Sequence, residues 1–454
     1  MTRRPLLAVL IVLGLATLLR VHGLSRWSLD GDELYSYYGV QKLLGGELEP
    51  GVRSYPLGYV LMAGSAAVLG LDELGLRAAS ALCGLLAVAA LLLLRRDAVP
   101  AGAGIVAALL AALSPWLVYH SQEARFYAPL LLFATLATLY ALPGPEQRPW
   151  LALLCGVLAA LCHPSALLLL PCLVVPPLAR RLPLSAVLAL AGAGAVAGGV
   201  WLLWGGGALP RLVQAALARH ALASYDTLHL LAGLGYAIGP AALLLVAAGA
   251  WPAWRERAPG DRLLLACASV PVVLLVLLSL LAASVQQRYA MAAVPALLLL
   301  AGRGAVALAG RPTLRGALVA AAVLAPAPQL WALSRDGDRS DMRGAAAWLR
   351  EHAQADDIFV ADEHSLLDLY FAGWQQTKVE EEDLNPKKLE GFPRNKHEVW
   401  IVLKANRLGG TYGADFEAWL AQYFTERARI GPSPPPLVRH DNQLVVFQRT
   451  ARVR

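Results

Sequence analysis

Residues 5–36 read PLLAVLIVLGLATLLRVHGLSRWSLDGDELYS. An almost unbroken apolar run from Pro5 reaches Val21, and a few residues later the chain carries Trp27 and the acids Asp30, Asp32 and Glu33. A helix needs about 20 apolar residues to cross a bilayer core, with about 17 as a practical floor. A carboxylate at mid-bilayer costs about 2.5–3.5 kcal/mol, so acids bunched beside a span belong at an interface. Met1-Thr-Arg-Arg ahead of the run has the form of a signal-peptide start, but no small-x-small cleavage site follows, and the segment reads as a retained first span.

The same pattern recurs along the chain. Of 454 residues 57% are hydrophobic and 16% charged, against about 45–50% and 25% in an ordinary soluble domain. Mean hydropathy is +0.53. Too little polar surface is available to cover this apolar bulk, which excludes a soluble globule. The runs are continuous and do not alternate, which excludes an outer-membrane barrel. Further candidate spans are Arg77–Leu94, Ala101–Tyr119, Phe126–Leu142, Leu184–Trp204, Leu230–Ala250, Leu263–Ser284, Ala290–Ala309 and Gly316–Leu333. If Leu57–Gly70 lies on the membrane and Trp150–Leu178 crosses twice around His163-Pro164, Arg3/Arg4, Arg95/Arg96, Arg148, Arg180/Arg181, Arg255/Arg257/Arg262 and Arg311/Arg315 all face the cytoplasm. The expected architecture is an all-α polytopic membrane domain of about eleven spans over residues 1–333, with a first outer loop at 22–76.

Charge divides the chain after Leu333. The first 333 residues hold 22 Lys+Arg and 13 Asp+Glu; the remaining 121 hold 17 and 19. Residues 334–454 therefore read as a small soluble α/β domain on the outer side, with a helix at Asp341–Ala353, buried strands at Ile358-Phe-Val, Val399-Trp-Ile-Val-Leu and Leu444-Val-Val-Phe, and a helix at Phe416–Phe424. Glu380-Glu-Glu-Asp383 and Lys387-Lys388 read as solvated loop charges. The basic balance reflects loops against a membrane surface, and nucleic acid is a poor partner. Five cysteines all lie in apolar runs, with no disulfide or zinc spacing.

Three polar clusters fall on the expected outer face. Asp30-Gly31-Asp32-Glu33 precedes Tyr35, Tyr37 and Tyr38, and reads either as a capped interfacial helix or as a source of catalytic carboxylates. Gln122-Glu123-Ala124-Arg125-Phe126-Tyr127 fills a short turn between apolar helices, as snorkelling end charges or as ligands. Gln286-Gln287-Arg288-Tyr289 places another lone arginine against the positive-inside bias. An outer guanidinium suits a lipid phosphate, since its fork pairs phosphate oxygens and keeps its charge. Paired carboxylates, two arginines and several tyrosines at one face suit group transfer from a lipid phosphate. No Walker loop, dinucleotide glycine pattern or His-Glu-x-x-His is present.

The ordered combination of Trp27-Ser-Leu-Asp-Gly-Asp-Glu-Leu-Tyr-Ser, Tyr55-Pro-Leu-Gly-Tyr-Val-Leu, Leu69-Gly-Leu-Asp-Glu-Leu-Gly-Leu-Arg77, Ser114-Pro-Trp-Leu-Val-Tyr-His-Ser-Gln-Glu-Ala-Arg-Phe-Tyr and Arg288-Tyr289 resembles bacterial GT-C glycosyltransferases of the protein O-mannosyltransferase and aminoarabinose transferase (ArnT-like) group, over roughly the first 310 residues. The resemblance implies a polyprenyl-phosphate sugar donor of the undecaprenyl type, in the bacterial inner membrane, and an extra-cytoplasmic acceptor that is a protein, a glycolipid or a polymer. It implies Asp32 as catalytic base, Glu33 orienting the acceptor or the loop, and Asp30 in reserve. It assigns Arg125, Arg288 and Tyr289 to the donor phosphate, with Tyr55, Glu123 and Tyr127 in support; His163, near the outer face if Trp150–Leu178 crosses twice, is a further supporting residue within reach of substrate. His163 reads on its own as a helix-end histidine bonded to backbone. Many relatives have His-Pro-Pro-Leu where this chain has Ser54-Tyr55-Pro56-Leu57, so any role for that histidine is absent or moved. No cofactor is required; some relatives use a divalent metal, and the carboxylates here support no claim to one. The rivals are a lipid-linked sugar flippase or other transporter, which calls for polar residues at mid-membrane depth, and a non-catalytic anchor for the tail.

Overall fold

Two of the apolar runs break where a proline begins a new helix. The computed structural model describes residues 3–93, 99–100, 102–144, 147–173, 227–256, 258–280, 285–354, 357–371, 398–408, 413–433 and 441–449. In chain order the first helices are α1 (Arg3–Val21), α2 (Gly31–Leu44), α3 (Pro50–Ser54), α4 (Pro56–Leu69), α5 (Glu73–Leu93), α6 (Ala103–Leu113), α7 (Pro115–Ser121), α8 (Tyr127–Ala141) and α9 (Pro149–Cys162). After a 3-10 turn at Pro164–Leu169 come α10 (Thr227–Ile238), α11 (Pro240–Glu256), α12 (Pro259–Leu280), a 3-10 turn at Gln287–Ala293, α13 (Val294–Ala307), α14 (Pro312–Leu324) and α15 (Ala327–Asp336). Among the described residues four helical stretches are long and apolar enough to cross a membrane, or six if each of two bent pairs is one span.

Those bent pairs correct two expectations. The run Ala101–Tyr119 is not one helix but α6 and α7, set at 66°, and Leu230–Ala250 divides into α10 and α11 at 90°. Both breaks fall inside apolar runs, but Pro115 and Pro240 lack the N–H that would continue the helix, and each instead takes the favoured first position of the next one. Pro115 deprives the Ala111 carbonyl of its helical donor. Arg20 on α1 replaces it, with Nη2 donating to Ala111 O at 3.0 Å and Nη1 to Ala112 O at 3.3 Å. Gln122 Nε2 in turn donates to Leu19 O at 2.5 Å and His22 O at 3.0 Å, capping the end of α1. α1 and the Ser114–Gln122 segment are thus fastened together from both sides. α4 has 14 residues, a rise of roughly 21 Å, short of a crossing.

Glycines bring α11 and α13 together. A Cβ on Gly304 would fall 1.9 Å from Leu245 O, and one on Gly249 would fall 2.0 Å from Leu300 O. Such backbone approach is what small residues permit where no hydrophobic effect drives helices together.

Contacts divide the chain into two compact units, Met1–His22 with Tyr38–Ala327, and Gly23–Tyr37 with Pro328–Arg454. The second contains a four-stranded sheet of β1 (Ile358–Ala361), β2 (Val399–Lys404), β3 (Phe424–Ile430) and β4 (Leu444–Arg449), in the order β1-β2-β4-β3. β1 and β2 are parallel, and the other pairs antiparallel. Its helices are α16 (Met342–His352), α17 (His364–Tyr370) and α18 (Ala414–Tyr423). Ile358, Val360, Ile401, Leu403, Phe416 and Leu420 form the core, and buried Asp357 accepts from Trp400 Nε1 at 2.9 Å. The expected helices and three expected strands are present; β3 is additional. The expected span Leu184–Trp204, nearly all of the loop Gly205–His229, Arg95, Arg96, Arg180, Arg181, Arg257, Glu380–Asp383 and Lys387-Lys388 lie outside the described residues.

Candidate functional site

The acid segment is a capped helix start. Asp30 Oδ1 accepts from Glu33 N at 2.8 Å, and Glu33 Oε2 accepts from Asp30 N at 3.1 Å. This reciprocal pair satisfies two helix-end groups at once. Glu33 is 0% exposed, and its Oε2 also accepts from Arg339 Nε at 3.1 Å. Asp30 Oδ2 lies 3.9 Å from the same Nε. Asp32 is half-buried on the first turn of α2, about 100° around the helix from Glu33. Glu33 therefore points into the protein while its neighbour is directed elsewhere.

In the other unit, aromatic rings gather the two arginines. Tyr55 stacks on Phe126 at 4.1 Å between centroids and on His163 at 5.4 Å. His163 stacks on Tyr289 at 5.1 Å and meets Tyr127 at 5.3 Å. The Arg125 guanidinium carbon sits 4.6 Å from the Phe126 centroid, and that of Arg288 sits 5.3 Å from the Tyr127 centroid. The structure thus joins the Glu123–Tyr127 turn, the Arg288-Tyr289 pair, Tyr55 and His163 into one group. A guanidinium over a ring gains cation–π attraction while keeping its fixed charge and its fork of donors, the chemistry that suits a phosphate.

Local chemistry fixes that group. Ser80 Oγ donates to Arg125 O at 2.9 Å. Glu123, buried, accepts from His120 Nδ1 at 2.7 Å, and the His120 ring abuts Tyr127 at 5.0 Å. His163 caps the 3-10 turn, accepting at Nδ1 from Ser165 N at 3.2 Å, which puts the proton of the neutral ring on Nε2. The backbone-bonded reading of His163 and its place beside Tyr289 thus hold together.

Against known structures, the crystal structure of ArnT from Cupriavidus metallidurans in the apo state aligns with a TM-score of 0.56 at 15% identity, over 98% of this chain and 98% of that one. The chain has the ArnT fold. A second crystal structure of the same ArnT, bound to undecaprenyl phosphate, aligns at 0.54 with 16% identity and the same coverage of 98% for both chains. Residues 50–204, about a third of the chain, match the family model for dolichyl-phosphate-mannose-protein mannosyltransferase. No curated protein matches. With its apolar helices and ArnT-like fold the chain is a multi-pass membrane protein with a GT-C fold.

The matched stretch of this ArnT-like chain contains Tyr55, Glu123, Arg125, Tyr127 and His163, and neither Asp30–Glu33 nor Arg288-Tyr289. Sequence reasoning missed Phe126 as the ring that unites Tyr55 and Arg125, His120 as the partner of Glu123, and Arg339. Phe126 and His120 stand inside a motif already singled out. Arg339 has no local signal. Among the described residues no group of three or more His, Cys, Asp or Glu stands where it could share a metal ion.

Proposed function

We propose that the chain is an integral membrane glycosyltransferase that moves a sugar from a polyprenyl-phosphate donor to an extra-cytoplasmic acceptor hydroxyl with inversion. Asp32 takes the proton of the acceptor hydroxyl, whose oxygen attacks the anomeric carbon as the carbon–oxygen bond to the lipid phosphate breaks. The electron pair leaves with the phosphate, and Arg125 and Arg288 stabilise its charge. Tyr289 binds the donor phosphate beside them, Tyr127, Tyr55 and His163 hold the arginines and the ring wall in place, and Glu33 orients the loop carrying Asp32. Residues 1–333 carry the donor machinery in the bacterial inner membrane, and 334–454 face outward.

The observation that carries this reading is the convergence of Arg125 and Arg288, from turns 163 residues apart in sequence, on one connected aromatic group. The related fold solved with undecaprenyl phosphate supports the donor class. The test uses purified protein in liposomes with a polyprenyl-phosphate sugar. Asp32→Asn is expected to abolish transfer while retaining donor binding, and Arg125→Gln or Arg288→Gln to weaken binding of the lipid phosphate. Undiminished transfer by Asp32→Asn rejects the base assignment; movement of intact donor across the bilayer without transfer supports the flippase reading instead.

A further inference from the structure

The acid segment takes its shape from residues of the tail. Within one compact unit, Leu29 N donates to Tyr370 Oη at 2.7 Å, Ser28 Oγ donates to Asp341 Oδ1 at 3.3 Å, and Arg343 N donates to Ser28 Oγ at 3.0 Å. A Cβ on Gly337, whose φ is +68°, would meet the Trp27 ring at 2.4 Å, so that turn closes directly on the tryptophan. Arg339 reaches the helix start itself. Its Nε donates to Glu33 at 3.1 Å and its Nη1 to Gly337 O at 2.6 Å, with the side chain 1% exposed.

We propose that Arg339 is a positioning residue for sugar transfer: by fastening Glu33 it fixes the first turn of α2, and with it the direction of Asp32. This rests on the base assignment made above for Asp32. A side chain so completely buried does not touch substrate, which separates Arg339 from the arginines assigned to the phosphate. Its two donors go to two acceptors on different segments, a task for a guanidinium fork that a single ammonium does not reproduce. Glu33 is bound simultaneously by Asp30 N and by Arg339, so removing the arginine takes a charged partner from a buried carboxylate. The turn then loosens, and a base displaced by even about 1 Å loses on the order of 100-fold in rate.

The experiment compares full-length wild type, Arg339→Met, Arg339→Lys and Asp32→Asn in liposomes, measuring kcat, donor KM and backbone hydrogen exchange over residues 30–37. Arg339→Met is expected to lower kcat by about 10- to 100-fold with donor KM within about twofold, and to speed exchange over residues 30–37. Arg339→Lys, which keeps the charge, is expected to fall between. In a Glu33→Gln background, Arg339→Met is expected to add less than about twofold, because the two act as one unit. Unchanged exchange in a monodisperse Arg339→Met protein overturns the proposal whatever its activity, as does faster exchange with wild-type kcat. Full transfer by Asp32→Asn rejects the base assignment itself, and the exchange readout reports separately on Arg339. Should Arg339→Met fail to fold, Arg339→Lys carries the same kcat and exchange test.

Discussion

The Arg288 guanidinium lies over the Tyr127 ring, 5.3 Å from its centroid, and Tyr127 in turn touches His120 and His163. One tyrosine therefore links the Arg288 cation to two buried histidines.

Replacing that ring tests whether it aims the cation. A cation–π contact contributes about 0.5–2 kcal/mol, so Tyr127→Leu is expected to weaken undecaprenyl-phosphate binding by roughly 2- to 30-fold, while Tyr127→Phe stays near wild type. Arg288→Gln removes charge-assisted bonds of about 1.5–3 kcal/mol and is expected to cost roughly 10- to 150-fold. Native mass spectrometry of the detergent-solubilised protein with the lipid reads both, and equal affinities for Tyr127→Leu and wild type would count against the arrangement.

Arg20 predicts a stability defect away from the chemistry. Arg20→Met leaves the Ala111 carbonyl, already without a helical donor because of Pro115, buried and unsatisfied. Such a loss costs about 1–3 kcal/mol. A lowered midpoint in a thermal unfolding scan is expected, with a smaller drop for Arg20→Lys; an unshifted midpoint for Arg20→Met would show that the bend closes without it.

Gly304 and Gly249 predict an assembly defect. Any side chain at Gly304 collides with Leu245 O on the facing helix, and backbone cannot yield as a flexible side chain can. Gly304→Val is expected to abolish the monodisperse peak in fluorescence-detected gel filtration, whereas Gly316→Val, with nothing within 4 Å of its would-be Cβ, keeps it.

The tail carries a pH dependence of its own. Asp362 is buried, with Oδ2 accepting from Lys404 N at 2.8 Å and Oδ1 3.6 Å from Arg407 Nη1. Burial outweighs these partners and pushes its carboxyl from 3.8 up to about 6. A carboxyl with a higher pKa folded than unfolded holds more protons when folded, so its stabilising contribution is complete below the unfolded value near 4 and is lost as pH rises through about 6. The shift corresponds to roughly 3 kcal/mol. Asp362→Asn should accordingly gain stability relative to wild type between pH 4.5 and pH 7.5 in thermal unfolding scans, and a difference independent of pH would contradict the raised carboxyl.

What was legible in the sequence follows from the range of the physics. Spans are written in long apolar runs, and the fold class could be read from them. The bends at Pro115 and Pro240 were hidden because averaging hydropathy over a window dilutes a single proline among its apolar neighbours. β3 escaped because Thr425-Glu-Arg-Ala-Arg runs along a sheet edge mostly open to water, where no buried face imposes an apolar pattern. Arg125 and Arg288 stood out as cations beside apolar helices, where charge is expensive. Arg339 did not, because one arginine among charged tail residues is ordinary, and its partner Glu33 lies 306 residues away.

That separation has a bearing on how the protein is made. The ribosome releases Glu33 306 residues before Arg339, an interval of roughly 15 to 60 s at ordinary elongation rates. Throughout it the acid turn must wait without its guanidinium clasp. The segment emitted almost first is among the last to mature, and a nascent chain stopped before Arg339 leaves that turn unfinished.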